Sequence, residues 1–147
     1  MTDTQMHWGF TGKKATIVDL TSQVGPGWKR LITDLVEDIT ATGWDGIIYQ
    51  VKEKFSGLRF YIGGASDEIH ERISQAERMS YFVCEECGKQ GLPRGPGWYK
   101  TLCETHAKEQ KKTQTLPIDI FIYEGEESDR KIVATIVIHP GEFTSVD

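Results

Sequence analysis

The sequence predicts an α+β fold, in which two helices pack on antiparallel β-hairpins and a cysteine-rich segment is inserted between them. Three observations favour it: two apolar stripes of helical period, two pairs of β-rich runs separated by turn residues, and cysteines grouped between the halves. The chain has 147 residues, the size of one ordinary domain. We therefore expect a single domain over residues 1–147.

The first predicted helix follows the chain-breaking run Gly25-Pro26-Gly27. Its apolar residues recur at helical spacing and form one stripe: Trp28, Leu31, Ile32, Leu35, Val36 and Ile39. Proline suits the first turn of a helix, and the pair Thr42-Gly43 is a common stop signal. Upstream of this helix, residues 15–20 are predicted as a short strand.

Two strand-like runs at residues 47–54 and 58–62, separated by Ser56-Gly57, predict a β-hairpin. Side chains alternate along a strand, so alternate residues of the second run share one face. Depending on the register, two lysines of the first run join that face. The result is a basic and aromatic patch that we single out as a candidate partner-binding surface: Lys52, Lys54, Arg59 and Tyr61. The alternative is an ordinary solvated sheet face.

A second helix is predicted over residues 67–81. Ser66 is a favourable N-cap, and Asp67 and Glu68 suit the positive end of the helix dipole. A glycine pair before a helix can also cradle phosphate, but these two carboxylates would repel it. A phosphate site is therefore not predicted here.

Three cysteines and one histidine form two half-sites, Cys84-x2-Cys87 and Cys103-x2-His106, with fifteen residues between them. Such spacing is typical of tetrahedral zinc sites, and four protein ligands leave no open position for a substrate. The sequence thus predicts one structural Zn²⁺ per chain, in a zinc-binding subregion over residues 82–110. A redox-active Cys84/Cys87 pair is the alternative.

The elements predicted around these ligands are a strand over residues 98–102 and a helix over residues 104–110. The second half-site then lies at a helix N-terminus, where the dipole favours thiolate. A cysteine turn, a hairpin and a ligand-bearing helix resemble a treble-clef zinc finger, and we expect this arrangement within the α+β fold.

Known zinc-enzyme patterns do not fit the sequence. A zinc deaminase needs His-x-Glu before its cysteine pair, and only the adjacent pair His70-Glu71 is near. A His-Glu-x-x-His protease motif fails because Ser74 occupies the last position. Treble-clef nucleases carry a histidine between the ligand pairs, and none occurs there. The sequence therefore predicts no enzyme activity.

Charge and hydropathy favour a cytoplasmic protein. The formal net charge is -5, no apolar run reaches the ~20 residues of a membrane span, and the N-terminus lacks a signal-peptide core. In a reducing compartment, three cysteines indicate metal binding rather than disulfides. A C-terminal hairpin is predicted over residues 117–139. Its acidic loop is a second candidate contact surface: Glu124, Glu126, Glu127 and Asp129.

Two motifs resemble those of a known group of proteins. They are VKEKFSGLRFY at residues 51–61 and CEECG at residues 84–88 followed by GWYKTLCETHA at residues 97–107. Together they are similar to a family of small uncharacterised phage and prophage proteins, over about residues 43–107. The resemblance implies a phage origin, a zinc module and location in the host cytoplasm, but no known activity.

These observations lead us to expect a non-enzymatic protein that binds a host or phage protein, for example as an inhibitor of host defence. The runner-up is nucleic-acid binding through the zinc segment, with Trp98 and Tyr99 stacking on bases. Its phosphate contacts would be Arg94, Lys100, Lys108, Lys111 and Lys112. An enzyme whose pocket gathers Arg59, Tyr61 and a histidine is the third hypothesis.

Overall fold

The fold is built on a four-stranded sheet that is followed by a smaller three-stranded sheet and a separate hairpin. The computed structural model describes residues 5–116, together with the backbone of residues 118–124 and 131–138. In chain order the elements are β1 (Met6–Trp8), β2 (Lys14–Ala15), α1 (Ile17–Thr21), a 3-10 turn (Pro26–Trp28), α2 (Lys29–Ala41), β3 (Ile47–Lys54), β4 (Gly57–Ile62), α3 (Asp67–Ser80), β5 (Leu92–Gly95), β6 (Lys100–Leu102), α4 (Glu104–Glu109), β7 (Gln114–Thr115), β8 (Ile118–Glu124) and β9 (Lys131–Ile138).

The first sheet has the strand order β2-β1-β3-β4. Strands β1 and β3 are parallel, and the other two pairings are antiparallel. The smaller sheet has the order β6-β5-β7, and β8 pairs with β9. The predicted α+β class is therefore confirmed, with helices and sheets in separate layers rather than in repeated β-α-β units.

The main hydrophobic core lies between the inner face of the first sheet and the helices α2 and α3. The predicted stripe of α2 is buried, and α3 buries Ile69, Ile73 and Ala76 on its inner side. The sheet contributes Ile48, Val51, Leu58 and Phe60 to the same core. Each large apolar side chain buried in this way stabilises the fold by roughly 1.5–3 kcal/mol. The core between the sheet and the two helices therefore supplies most of the hydrophobic stabilisation of the fold.

Helix α3 also covers the free edge of β4. The N–H of Leu58 donates to the hydroxyl of Ser80 at 2.9 Å, and the N–H of Phe60 donates to the Glu77 carboxylate at 3.0 Å. Burial raises the pKa of Glu77, although the Phe60 N–H and the charge of Arg59 act against it. Two N–H groups at the edge of β4, which have no neighbouring strand in the described sheet to donate to, thus donate to side chains of α3.

Two local predictions need correction. The strand expected at residues 15–20 is wrong beyond Ala15, because Thr16 and Asp19 form a capping box that begins helix α1. The hairpin turn falls on Phe55 and Ser56, whose φ angles are 51° and 70°, and not on Ser56-Gly57. Gly57 is the first residue of β4 instead, opposite Lys54, and a Cβ at this position would lie 2.5 Å from the Tyr81 ring.

The C-terminal hairpin is confirmed at the level of the backbone, with Ile118 paired to Ile138 and Glu124 to Lys131. The loop residues Glu126, Glu127 and Asp129 of the second candidate surface lie outside the described residues. No helix in the described part of the chain is long and apolar enough to cross a membrane.

Candidate metal centre

The first ligand pair lies in a tight turn between α3 and β5. The N–H of Cys84 donates to the Lys89 carbonyl at 2.7 Å, and the N–H of Gly88 donates to the Cys84 carbonyl at 2.9 Å. Gly88 has φ 81°, a backbone conformation that glycine adopts without strain. These bonds fold the chain back on itself, so that Cys84 and Cys87 point to the same place.

The second ligand pair lies where β6 passes into α4. Cys103 is the N-cap of this helix, and its sulfur accepts from the His106 N–H at 3.5 Å. His106 is in the first turn, so three residues of spacing put its ring on the same side as the Cys103 sulfur. The predicted strand and helix around this pair are both present, at Lys100–Leu102 and Glu104–Glu109.

The structure brings all four predicted ligands together, with their ligand atoms within 4.8 Å of one another. The Cys87 and Cys103 sulfurs are 3.7 Å apart. The His106 Nδ1 atom lies 3.6 Å from the Cys84 sulfur and 3.2 Å from the Cys103 sulfur. This cluster can hold one metal ion, and the imidazole offers Nδ1 to it.

The other ring nitrogen of His106 faces a carboxylate. Its Nε2 atom is 3.8 Å from Glu109 Oε2, one helical turn further along α4. An acceptor at Nε2 favours the tautomer whose Nδ1 lone pair is free for a metal. At 3.8 Å this contact is at ion-pair range and longer than a hydrogen bond, so Glu109 is a candidate positioning residue, and the spacing of the ligands gives no sign of it.

The thiols of the cluster influence one another. Burial acts to raise the pKa of Cys103, but hydrogen bonds from the His106 backbone and ring outweigh it and bring that pKa to about 7. Burial raises the pKa of Cys87 to about 11, assisted by its thiol neighbours. Cys103 thus ionises at lower pH than Cys87, and a bound cation would favour the thiolate form of its cysteine ligands.

The ligand segment has little apolar core of its own. Its buried cluster consists of Cys84, Leu102, Cys103 and Ala107, and two of these four are ligands. So small a cluster stabilises a segment weakly, because apolar area buried sets the hydrophobic contribution. A metal ion at the four ligands would supply the cohesion that the side chains lack.

Two hydrogen bonds dock the first ligand turn onto the 3-10 turn that precedes α2. The N–H of Gly27 donates to the Glu85 carbonyl at 2.7 Å, and the Trp28 indole donates to the Val83 carbonyl at 2.8 Å. A Cβ on Gly27 would lie only 1.9 Å from the Cys84 carbonyl oxygen. The approach is so close that only glycine fits, which a sequence without coordinates gives no means of seeing.

A buried network of hydrogen bonds joins strand β6, which precedes Cys103, to the β3–β4 hairpin. The N–H of Thr101 donates to the Glu85 carboxylate at 2.6 Å, and its hydroxyl donates to the Ser56 carbonyl at 2.8 Å. Burial raises the pKa of Glu85 to about 7, against the opposing bond from Thr101. Apart from these buried hydrogen bonds, the Trp98 indole donates to Glu53 at 3.1 Å. The metal segment is thereby attached to the hairpin turn.

The observed register places the four residues of the candidate partner-binding surface on one face of the hairpin, which the sequence alone leaves dependent on the register. Lys52 is opposite Arg59, and Tyr61 is opposite Gln50. The Lys52 ammonium lies 5.7 Å from the centre of the Tyr61 ring, within cation–π range. Burial acts to lower the pKa of Arg59, but its hydrogen bond to Tyr81 outweighs this and raises that pKa.

The cations of the zinc-segment hypothesis are mostly engaged within the chain. Arg94 donates to the Leu102 carbonyl at 2.9 Å, and Lys112 donates to the Pro96 carbonyl at 3.0 Å. Lys100 is 3.6 Å from Glu86, and Lys108 is 4.0 Å from the Glu104 carboxylate. Trp98 and Tyr99 are exposed, Trp98 to 69%. The zinc segment thus has exposed aromatic rings for stacking on bases, but most of its cations already have partners within the chain.

Comparisons of the chain with known protein families, with curated proteins and with solved structures found no match.

Proposed function

We propose that Cys84, Cys87, Cys103 and His106 bind one structural Zn²⁺, in a finger of the treble-clef type. In a tetrahedral site with Zn–S bonds of about 2.3 Å, neighbouring sulfurs lie about 3.8 Å apart. The 3.7 Å between Cys87 and Cys103 agrees with that separation. Three thiolates and one imidazole also form a ligand set that zinc prefers.

We propose further that the chain is a non-enzymatic binding protein of the phage type, acting in the host cytoplasm by contact with a host or phage macromolecule. The observation that carries this proposal is the closed ligand set, since four protein ligands leave the metal no position for a substrate. A host or phage protein, for example one of a defence system, is the partner that the sequence analysis favours.

In this proposal the zinc ion acts at a distance on the contact surface. It fixes the turn at Cys84 and the strand that precedes Cys103. That strand holds the β3–β4 turn through the Thr101 to Ser56 hydrogen bond. The hairpin then presents its exposed side chains in one fixed register.

The second candidate function, nucleic-acid binding through the zinc segment, is favoured only by the exposed rings of Trp98 and Tyr99. Stacking on bases needs such rings, but tight binding also needs cations for the phosphates. Four of the five proposed cations already have partners in the chain. This segment is therefore the weaker choice of contact surface.

Native mass spectrometry with and without chelator, combined with hydrogen exchange, tests the zinc proposal. We expect one zinc ion per chain, and its loss in Cys84→Ser and Cys103→Ser with faster exchange across residues 82–110. His7→Gln, an exposed histidine outside the cluster, is the control that should keep zinc and protection. Unchanged exchange in the metal-free cysteine variants would contradict a structural role. A zinc-free chain lighter by two hydrogens would indicate the redox pair instead.

A further inference from the structure

The face of the first sheet that points away from the helices has an unusual composition. We call it the outer face. It presents four cations and two aromatic rings: Lys14, Lys52, Lys54, Arg59, Tyr49 and Tyr61.

Strand pairing places these residues on one side of the sheet. Met6 and Ala15 are opposite each other and buried, so their neighbours His7 and Lys14 point to the outer side. In the hairpin, Val51 and its partner Phe60 point inward by the same rule, as their burial shows. Tyr49 joins the outer side because it is the extra residue where the β3 register shifts.

Charge is segregated on this face. The whole chain has 22 acidic residues and a net charge of -5, yet only Glu53 is acidic within strands β1 to β4. Glu53 is opposite the buried Leu58, and its carboxylate accepts from the Trp98 indole. The strand positions on the outer face therefore hold four cations and no carboxylate, which favours a polyanionic partner.

The rings of this face are accessible to a flat ligand. Tyr61 is 42% exposed and Tyr49 is 36% exposed. Phe10, 84% exposed, extends the row with its ring centre 5.0 Å from that of Tyr49. Each ring has a cation or another ring as its neighbour, so stacking and phosphate contacts can be made side by side.

We propose that the outer face binds single-stranded nucleic acid, with bases stacked on Tyr49 and Tyr61 and phosphates met by Lys52 and Lys54. Arg59 already donates to the Leu58 carbonyl and bonds Tyr81, so it adds positive charge to the face rather than a free donor. This inference rests on the proposed function as a non-enzymatic binding protein, and it assigns the outer face a nucleic-acid partner in place of the protein partner named there. An open sheet with exposed rings suits unpaired bases, whereas a duplex hides the faces of its bases. An acidic peptide would satisfy the cations but would leave the rings unused.

Fluorescence anisotropy with the full, zinc-loaded chain tests this inference, using labelled oligo(dT) and oligo(U), a DNA duplex and polyglutamate as probes. We expect the single strands to bind most tightly. Tyr61→Ala should weaken that binding about five- to 150-fold, the value of one lost stacking contact. Lys52→Ala with Lys54→Ala should weaken it and reduce its salt dependence by about one to two released counterions. The matched control is Lys29→Ala with Arg30→Ala, two exposed cations on α2.

Zinc content and unfolding of each variant establish that it is folded. No binding at low salt, or binding that Tyr61→Ala leaves unchanged, would overturn the inference. Equal affinity for polyglutamate would overturn it in favour of an acidic protein partner. These results separate the inference from the zinc proposal. A chain that binds zinc but does not bind single-stranded nucleic acid contradicts the inference and leaves the zinc proposal standing.

Discussion

The indole N–H of Trp28 donates a 2.8 Å hydrogen bond to the carbonyl of Val83, the residue immediately before the first candidate metal ligand. Trp28 is 0% exposed and belongs to the main core. On the other side of Cys84, the Glu85 carbonyl accepts from the Gly27 N–H. Two consecutive residues of the 3-10 turn that precedes α2 thus hold both neighbours of one ligand, so packing of the main core and geometry of the metal centre depend on each other.

Gly27→Ala tests this dependence most directly. The new Cβ would meet the Cys84 carbonyl oxygen at 1.9 Å and the Gly88 nitrogen at 2.7 Å, so one backbone must move. We expect the free energy of unfolding to fall by at least about 2 kcal/mol and bound metal to exchange faster. Denaturant unfolding and release of zinc to a coloured chelator measure the two effects. Gly64→Ala, where nothing lies within 4 Å, is the control, and an equal loss in both would contradict the close approach.

Thr101→Val tests the attachment of the metal segment to the hairpin. The substitution keeps the side-chain shape but leaves the buried Ser56 carbonyl without its hydroxyl donor. We expect a loss of about 1–3 kcal/mol in unfolding free energy, with one metal ion still bound. Thr33→Val is the matched control, since the Thr33 hydroxyl bonds an exposed helix carbonyl. A Thr101 variant as stable as its control would show that the contact does not hold the two parts together.

The buried carboxylate of Glu77 should make stability depend on pH. Its pKa in the fold is raised above the ordinary 4.5 by burial, so the folded chain keeps this proton to higher pH than the unfolded chain. Its favourable contribution is therefore complete below the ordinary value and is lost as pH rises through the folded pKa. Relative to Glu77→Gln, wild type should become progressively less stable from pH 4 upward.

Urea unfolding of both proteins across that range measures the difference. Glutamine can still accept from the Phe60 N–H, so the comparison isolates the charge from the hydrogen bond. Acid release of metal affects both chains alike and cancels in the difference. If the difference in unfolding free energy does not change with pH, or changes in the opposite direction, burial does not raise the pKa of the Glu77 carboxyl.

Glu109→Gln tests the acceptor behind His106. Carboxylates behind a metal-bound imidazole typically contribute 10–100-fold to metal affinity. The Glu109 side chain is 63% exposed and 3.8 Å from the ring, so we expect a loss at the lower end, about tenfold or less. Competition with a zinc chelator of known affinity measures it. Glu104→Gln, on the same helix and 75% exposed, should have no effect, and equal losses in both would assign the effect to general charge.

The sequence predicts the ligand set because its signal is local. The spacing of two residues between the ligands of each half-site is set by short-range geometry. In the first half-site it is the geometry of a cysteine turn, and in the second that of a helix start. The stripes of α2 and α3 are similarly local. Helix α2 lies between its predicted start and stop signals, and α3 begins at the predicted residue and ends one residue before the predicted end. The strand β1 was not predicted, because three residues paired in parallel to a distant strand leave no periodic pattern.

A repeated tetrapeptide shows where local reasoning stops. The run Gly-Pro-Gly-Trp occurs at residues 25–28 and again at residues 95–98. Trp28 is fully buried beneath the ligand turn, whereas Trp98 is 69% exposed. Identical neighbours therefore lead to opposite environments. The Trp28 indole donates to the Val83 carbonyl and the Trp98 indole to the Glu53 carboxylate, and both bonds are made across more than forty residues of chain.

The side chains that α3 places along β4 restrict how this sheet can meet another chain. Many proteins recruit peptides, or polymerise, by adding a foreign strand to an open sheet edge. Here Ser80 and Glu77 already occupy two of the outward donors of β4. The opposite border is β2, which spans only two residues and is too short to template a strand. Among the described strands of this sheet, β-augmentation is thereby closed at both edges, so any partner of this sheet would have to approach its broad surface rather than its edge.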